Sequence, residues 1–173
     1  VVADVQDRIV EAVNSLRERN DYLFTTGGIG PTHDDITVDA VAAALGCDVV
    51  VHPEARAILE RYYADKPGGL TDDRLRMARV PEGAELIPNR MSGAPGIKIG
   101  NVMLMAGVPH ITAGMLDALT GTLEGGAPLQ SETMGCWTAE SEVASILREV
   151  ERAHEQCQIG SYPFFREGKV GAN

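Results

Sequence analysis

The chain of 173 residues carries 15 Lys and Arg against 25 Asp and Glu, a formal charge of −10, and 44% of its residues are apolar. That apolar share suffices for the core of one domain, or one domain with a small appendage. The acidity argues against a nucleic-acid binder or attachment to anionic membrane, since both need a basic surface. Cys47, Cys136 and Cys157 lie far apart with no CxxC pair, which fits thiols of a reducing cytoplasm. No apolar run reaches the length of a membrane span and no signal-peptide pattern is present.

In chain order, Val5, Ile9, Val13 and Leu16 recur at steps of three and four, predicting a helix over 4–19 with Asp4 as N-cap. "DYLFTT" then reads as a buried strand broken by Gly27 and Gly28. "TVDAVAAALG" is a helix with Gly46 at its left-handed stop, and "CDVVVH" a short strand. Pro53 opens the next helix, and Thr71 caps a short one, "DDRLRMAR", ended by Pro81. "ELIPN" and "GNVMLMAG" are strands around the loop "RMSGAPGIKI", and "PHITAGMLDALTGTL" is helical in period. This alternation predicts an α/β fold, a mostly parallel sheet with helices on both faces. Such a sheet calls for a strand before the first helix, yet only "VV" precedes it and the chain does not begin with Met, so truncation is expected.

"EGGAP" is linker-like and divides a domain over 1–125 from a small α+β appendage over 126–173. The appendage is expected to be β–α–β: a strand over 130–137, a helix over 139–156 and a strand in "QIGSYPFF".

"FTTGGIGPTHDDIT" is the densest group of unusual residues. Gly27, Gly28 and Gly30 let the main chain approach a ligand closely and reach positive φ at low cost. Free amides at the next helix favour a phosphate, and strand-to-helix loops are where open α/β sheets hold ligands. The loop lacks the Gly-Lys-Ser/Thr of a P-loop and the spacing of a dinucleotide fingerprint. A carboxylate beside phosphate needs a divalent cation between them, so Asp34 and Asp35 are candidate metal-holding catalytic residues; the competing role for Asp35 or Thr37 is to cap the following helix. His33 could touch substrate or be a solvated loop residue.

"TTGGIGPTHDDIT" resembles the signature of the molybdopterin-binding fold family of MogA and MoaB proteins, and most closely its CinA branch. "PNRMSGAPGIKIG" is similar to that family's Asn-x-x-Gly-x-Ala-Pro-Gly segment, and "MLMAGVPHITAGM" to its Gly-Val-Pro turn. "AESEVASIL" and "IGSYPFF" resemble the small domain that follows in CinA-like proteins. The resemblance implies one ligand wall of Gly27, Gly28, Gly30, Thr32, Asp34 and Asp35. A second comprises Ser92, Gly93, Ala94, Pro95 and Gly96, and a third Gly107, Val108 and Pro109. Read from the residues alone, the second is equally an ordinary Pro/Gly turn and the third a helix entry with proline in its first turn. Two departures stand out: the family's Gly-Asp-Glu-Ile opening strand is absent, and "HITAGM" replaces its Glu-Met after Gly-Val-Pro.

By resemblance the ligand is molybdopterin or a nucleotide, and the activity a metal-dependent (Mg or Co) pyrophosphate cleavage of an ADP-ribose-like nucleotide. The protein would be a cytoplasmic homo-oligomer, dimer or trimer; a further deamidase domain occurs in some relatives. A non-catalytic binding or regulatory module is the alternative. Arg90 and Lys98 flank the second loop as candidate phosphate cations or solvated surface residues. His154 and Cys157 alone make a poor zinc site, Glu140 and Glu142 suit a helix dipole, and Tyr162, Phe164 and Phe165 suit a core or interface.

Overall fold

In the computed structural model, which describes all 173 residues, the chain forms two units, Val1–Glu124 and Gly125–Asn173. The first contains α1 (Gln6–Arg17), β1 (Leu23–Thr26), α2 (Thr37–Leu45), β2 (Val49–Val51), α3 (Pro53–Tyr63), α4 (Asp72–Leu75) and a 3₁₀ turn Arg76–Ala78. It continues through β3 (Arg79–Pro81), β4 (Glu85–Ile87), β5 (Gly96–Ile99), β6 (Val102–Met105) and α5 (Pro109–Ala118). The second contains α6 (Glu140–Ala153), β7 (Pro163–Arg166) and β8 (Lys169–Ala172). No helix is long and apolar enough to cross a membrane.

Several local expectations hold. Gly46 stops α2 at φ 67°, Pro53 occupies the first turn of α3, and the Thr71 side chain accepts from Arg74 N–H at the start of α4. Others need correction. Asp4 does not cap α1: Val5 N–H bonds back to Ala3 O at 2.7 Å, and this turn makes Val5 the N-cap. The helix expected through Arg79 gives way to the 3₁₀ turn and β3, because buried Val80 pairs with Val50 in an antiparallel two-stranded sheet.

The larger sheet has the order β1-β6-β5-β4. The fold is α/β, but its strand pairings are mixed instead of mostly parallel: β1 and β6 run parallel, while β5 is antiparallel to both neighbours. The cause is β5, a strand inside the stretch read as a loop, which forms a hairpin with β6. Gly100 and Asn101 join β5 to β6, and φ 56° at Gly100 alone matches the two-residue turn that follows strand twist.

Helices lie on both faces, and β6 shows why. All four of its side chains are buried. Val102 and Leu104 pack with Ile9, Val13, Val38 and Val41 of α1 and α2, whereas Met103 and Met105 pack with Met115 and Leu119 under α5. Alternation across one strand thus joins two layers, each buried side chain contributing about 1.5–3 kcal/mol.

In the second unit the expected strand over 130–137 is reduced to one bridge, Cys136 to Ala172. The expected β–α–β is instead a helix followed by a hairpin. Glu167 (φ 52°) and Gly168 (φ 74°) make the paired left-handed turn that folds β8 onto β7.

Candidate functional site

Strands β1, β4 and β6 point the same way, and β5 starts where β6 ends, with Ile97 opposite Leu104. The loops leaving β1, β4 and β6 therefore gather at one end of the sheet. They enclose a cavity of about 380 Å³. Its lining includes Gly27, Gly28, Gly30, Asp35, Asn89, Ser92, Ala94 and Gly107, over an apolar floor that includes Met77, Ala106, Ile111 and Met115. Segments far apart in the chain meet here, as a site at the carboxyl ends of strands requires.

The glycine loop needs its glycines. Gly28 has φ 68°, and a Cβ there would lie 2.0 Å from Thr37 Oγ1. A Cβ on Gly30 would lie 2.6 Å from Asp35 Oδ2, so the bare backbone makes room for the carboxylate. Behind them the two sheet-end loops touch glycine to glycine: a Cβ on Gly107 would come within 3.2 Å of Gly27 Cα.

The paired aspartates separate. Asp35 turns into the cavity lining, and its Oδ2 accepts from Thr32 N–H at 2.8 Å and from the Thr32 hydroxyl at 2.5 Å. Neither Asp35 nor Thr37 supplies a side-chain cap to α2, whose N-cap is Ile36. Asp34 is exposed and does not line the cavity. Its carboxyl lies below the ordinary 3.8, first through the Thr32 side chain, then through its own amide, with a smaller pull from His33. The Thr32 hydroxyl donates to Asp35, so Thr32 acts on Asp34 as a neighbour and not as its bonded donor. Because the shift is downward, any stability lent by the Asp34 charge is present above 3.8 and fades as pH falls through the lowered value. No group of three or more His, Cys, Asp or Glu side chains gathers here to hold a metal ion, and of the expected pair Asp35 alone lines the cavity.

Not every residue of the three expected walls faces the cavity. Thr32 is engaged with Asp35, and Gly93 (φ 79°) abuts Tyr62, whose Cγ would lie 2.5 Å from a Cβ. Pro95 and Gly96 are buried, Gly96 opening β5, and exposed Pro109 opens α5. Arg90 lines a separate groove with Met91 and Asp117, and Lys98 pairs with Glu85 at 3.4 Å.

Sequence reasoning gave two residues no role, Asn89 although it opens the Asn-x-x-Gly-x-Ala-Pro-Gly likeness, and Arg76. Asn89 holds the 89–94 loop in shape: its Nδ2 donates to Ser92 Oγ (2.6 Å) and Ala94 O (2.7 Å), while Oδ1 accepts from Met91 N–H (2.9 Å) and Ser92 N–H (3.3 Å). Its place two residues after a strand, ahead of Ser-Gly, was the available signal. Arg76 donates from Nη2 to Thr32 O at 3.3 Å, across 44 residues of chain; nothing in the local pattern "RLRMAR" announces it.

Residues 1–125, which hold this whole cavity, match the family described as "Probable molybdopterin binding domain". The chain belongs to the molybdopterin-binding domain family. Beyond this domain, residues 128–173 match the middle domain of FAD synthase. A protein of Aeropyrum pernix is 36% identical over 172 residues, covering 94% of this chain and 64% of its own length. A CinA-like protein of Desulfosudis oleivorans is 37% identical over 138 residues, 74% of this chain and 33% of that protein. The crystal structure of the protein CinA, of unknown function, from Thermoplasma acidophilum superposes with a TM-score of 0.62 at 32% identity, over 69% of this chain and 72% of that one. These likenesses make the molybdopterin-binding domain here CinA-like. The chain spans 62–66% of the length of the Aeropyrum, Pyrobaculum and Caldivirga relatives it matches along most of its extent.

Proposed function

We propose that the Val1–Glu124 unit binds a phosphorylated nucleotide or pterin in the three-loop cavity and hydrolyses the pyrophosphate of an ADP-ribose-like nucleotide. The observation that carries this reading is the convergence of the Gly27–Gly30 backbone, the Asn89-braced loop and the Asp35 carboxylate on one cavity at the end of the sheet. Glycine-opened amides suit phosphoryl oxygens, and the apolar floor suits a flat ring.

In the reaction, water attacks one phosphorus of the P–O–P link, one P–O bond breaks, and AMP and ribose 5-phosphate leave. A divalent cation, Mg²⁺ or Co²⁺, arriving with the phosphates and held on the protein side by Asp35 would supply charge for the oxygens that become more negative. The protein's own contribution would be to orient the phosphates by loop amides and keep the ring against Ile111 and Met115. Incubation of the purified chain with ADP-ribose and Mg²⁺ or Co²⁺ is expected to yield AMP, with a loss of about 100-fold or more in Asp35→Asn. Binding of ADP-ribose without AMP under either ion would remove the hydrolytic part.

The Thr32–Asp35 bonds favour a second reading, non-catalytic binding, because they give Asp35 a duty inside its own turn. That reading expects Asp35→Asn to bind ADP-ribose about as tightly as the parent. A cytoplasmic homodimer or homotrimer belongs to the same proposal, and light scattering of the purified chain decides the assembly.

A further inference from the structure

Arg76 opens the 3₁₀ turn whose next residue, Met77, lines the cavity. Its Nη2 reaches the Thr32 carbonyl, on the loop that carries Asp34 and Asp35. Its Nε is buried and has no acceptor in the protein. Nor has it a carboxylate partner: the ion pairs of the chain use Arg8, Arg56, Arg79 and Lys98.

Buried N–H groups are nearly always paired, and an unpaired donor on a charged group costs more than a neutral one. A half-buried guanidinium held by one 3.3 Å bond to a carbonyl is therefore poorly satisfied by the protein alone. The cavity has the complementary problem. Asp35 is its one titratable lining residue, so an anionic ligand would meet a negative charge and no lysine, arginine or histidine in the wall. The planar edge of a guanidinium, Nε–H beside Nη–H, matches two oxygens of a phosphoryl group.

We propose that Arg76 recognises the phosphoryl group of the ligand at this cavity, presenting its Nε–Nη edge to two phosphoryl oxygens as it gives up or shares the Thr32 carbonyl. The inference rests on the reading of the cavity as a phosphorylated-ligand site. Because Nε is sealed, the edge opens only when the guanidinium or the Thr32–Asp35 turn shifts. Phosphate recognition is thereby coupled to the placement of Asp35.

Calorimetric titration of adenosine, AMP and ADP-ribose into the parent chain, Arg76→Gln and Arg76→Lys, at one ionic strength, tests this. Arg76→Gln should lose about 10-fold or more in affinity for AMP and ADP-ribose while adenosine stays within about twofold. Arg76→Lys should recover part of the loss, since it keeps the charge and loses the fork. In the parent, the Arg76 Nε–H NMR signal, assigned by its absence from Arg76→Lys, should shift on adding AMP and not adenosine. Equal affinity of parent and Arg76→Gln for AMP overturns the inference and leaves the cavity reading standing. Equal loss for adenosine and AMP marks a purely structural residue and also overturns it. Failure of the parent to bind any of the three probes defeats the cavity reading and this inference together. If Arg76→Gln does not fold, the lysine variant and the Nε–H signal decide: an unchanged AMP affinity in Arg76→Lys with an unmoved Nε–H signal overturns the inference.

Discussion

Gly28 and Gly46 have nearly the same left-handed backbone, φ 68° and 67°, yet they stand in opposite surroundings. A Cβ at Gly46 would meet nothing within 4 Å, whereas at Gly28 it would collide with buried Thr37. Alanine at Gly46 should cost only the conformational penalty, about 1–2 kcal/mol. Gly28→Ala adds overpacking and should lose about 2–5 kcal/mol in a denaturant melt. Trimming the obstacle in Gly28→Ala/Thr37→Ala should recover the steric part and leave the φ part. Equal losses at both glycines would contradict the packing described. At this scale the sequence was partly readable. Adjacent glycines before two aspartates pointed to a tight loop, and Gly30 and Asp35 do nest together. Which carboxylate turns inward was not readable, because it depends on the Thr32 bonds formed only once the turn closes.

The loop between β4 and β5 is an element with one organiser. Asn89 supplies both donors and accepts two amides, so the loop's shape is written into a single side chain. Asn89→Ala strands Ala94 O and two N–H groups, and should cost about 1–3 kcal/mol. It should also weaken ADP-ribose binding by about 10-fold or more, since Ser92 and Ala94 lose their bracing. Calorimetry on a variant that still melts cooperatively checks this; unchanged affinity would show that the loop holds itself. Helices were the most legible elements, because Gly46, Pro53 and Thr71 act through local backbone chemistry. Short strands were not. β3 and β5 have three and four residues, and each becomes a strand through a partner distant in sequence or across a turn. The Gly100–Asn101 turn, read as the start of a strand, and the Glu167–Gly168 turn, which drew no reading, were the missed cues.

Across the whole molecule, burial is uneven. The first unit has three clusters of buried side chains, with β6 at the junction of two of them. In the second, α6 has no buried residue and Ala172 is the one buried apolar residue. Regions with few buried contacts open at low free energy. Amide exchange should therefore be slowest at β6, near the global unfolding limit, and faster by orders of magnitude along α6; equal protection would refute this. The β6 run of four apolar residues was legible as a strand, whereas its mixed neighbours depended on the hairpin. The bare contact between Gly107 and Gly27 has a consequence for how this pocket can change. At that point its back is set by hydrogen atoms, and the two loops hang from β1 and β6, paired in parallel. Shortening a side chain cannot deepen it there, and parting the loops would break main-chain bonds such as Gly27 N–H to Met105 O. Room for a bulkier guest must come from where ordinary side chains form the wall, the Asn89–Ala94 loop and the floor of Met77, Ile111 and Met115, so divergence in ligand choice should concentrate there.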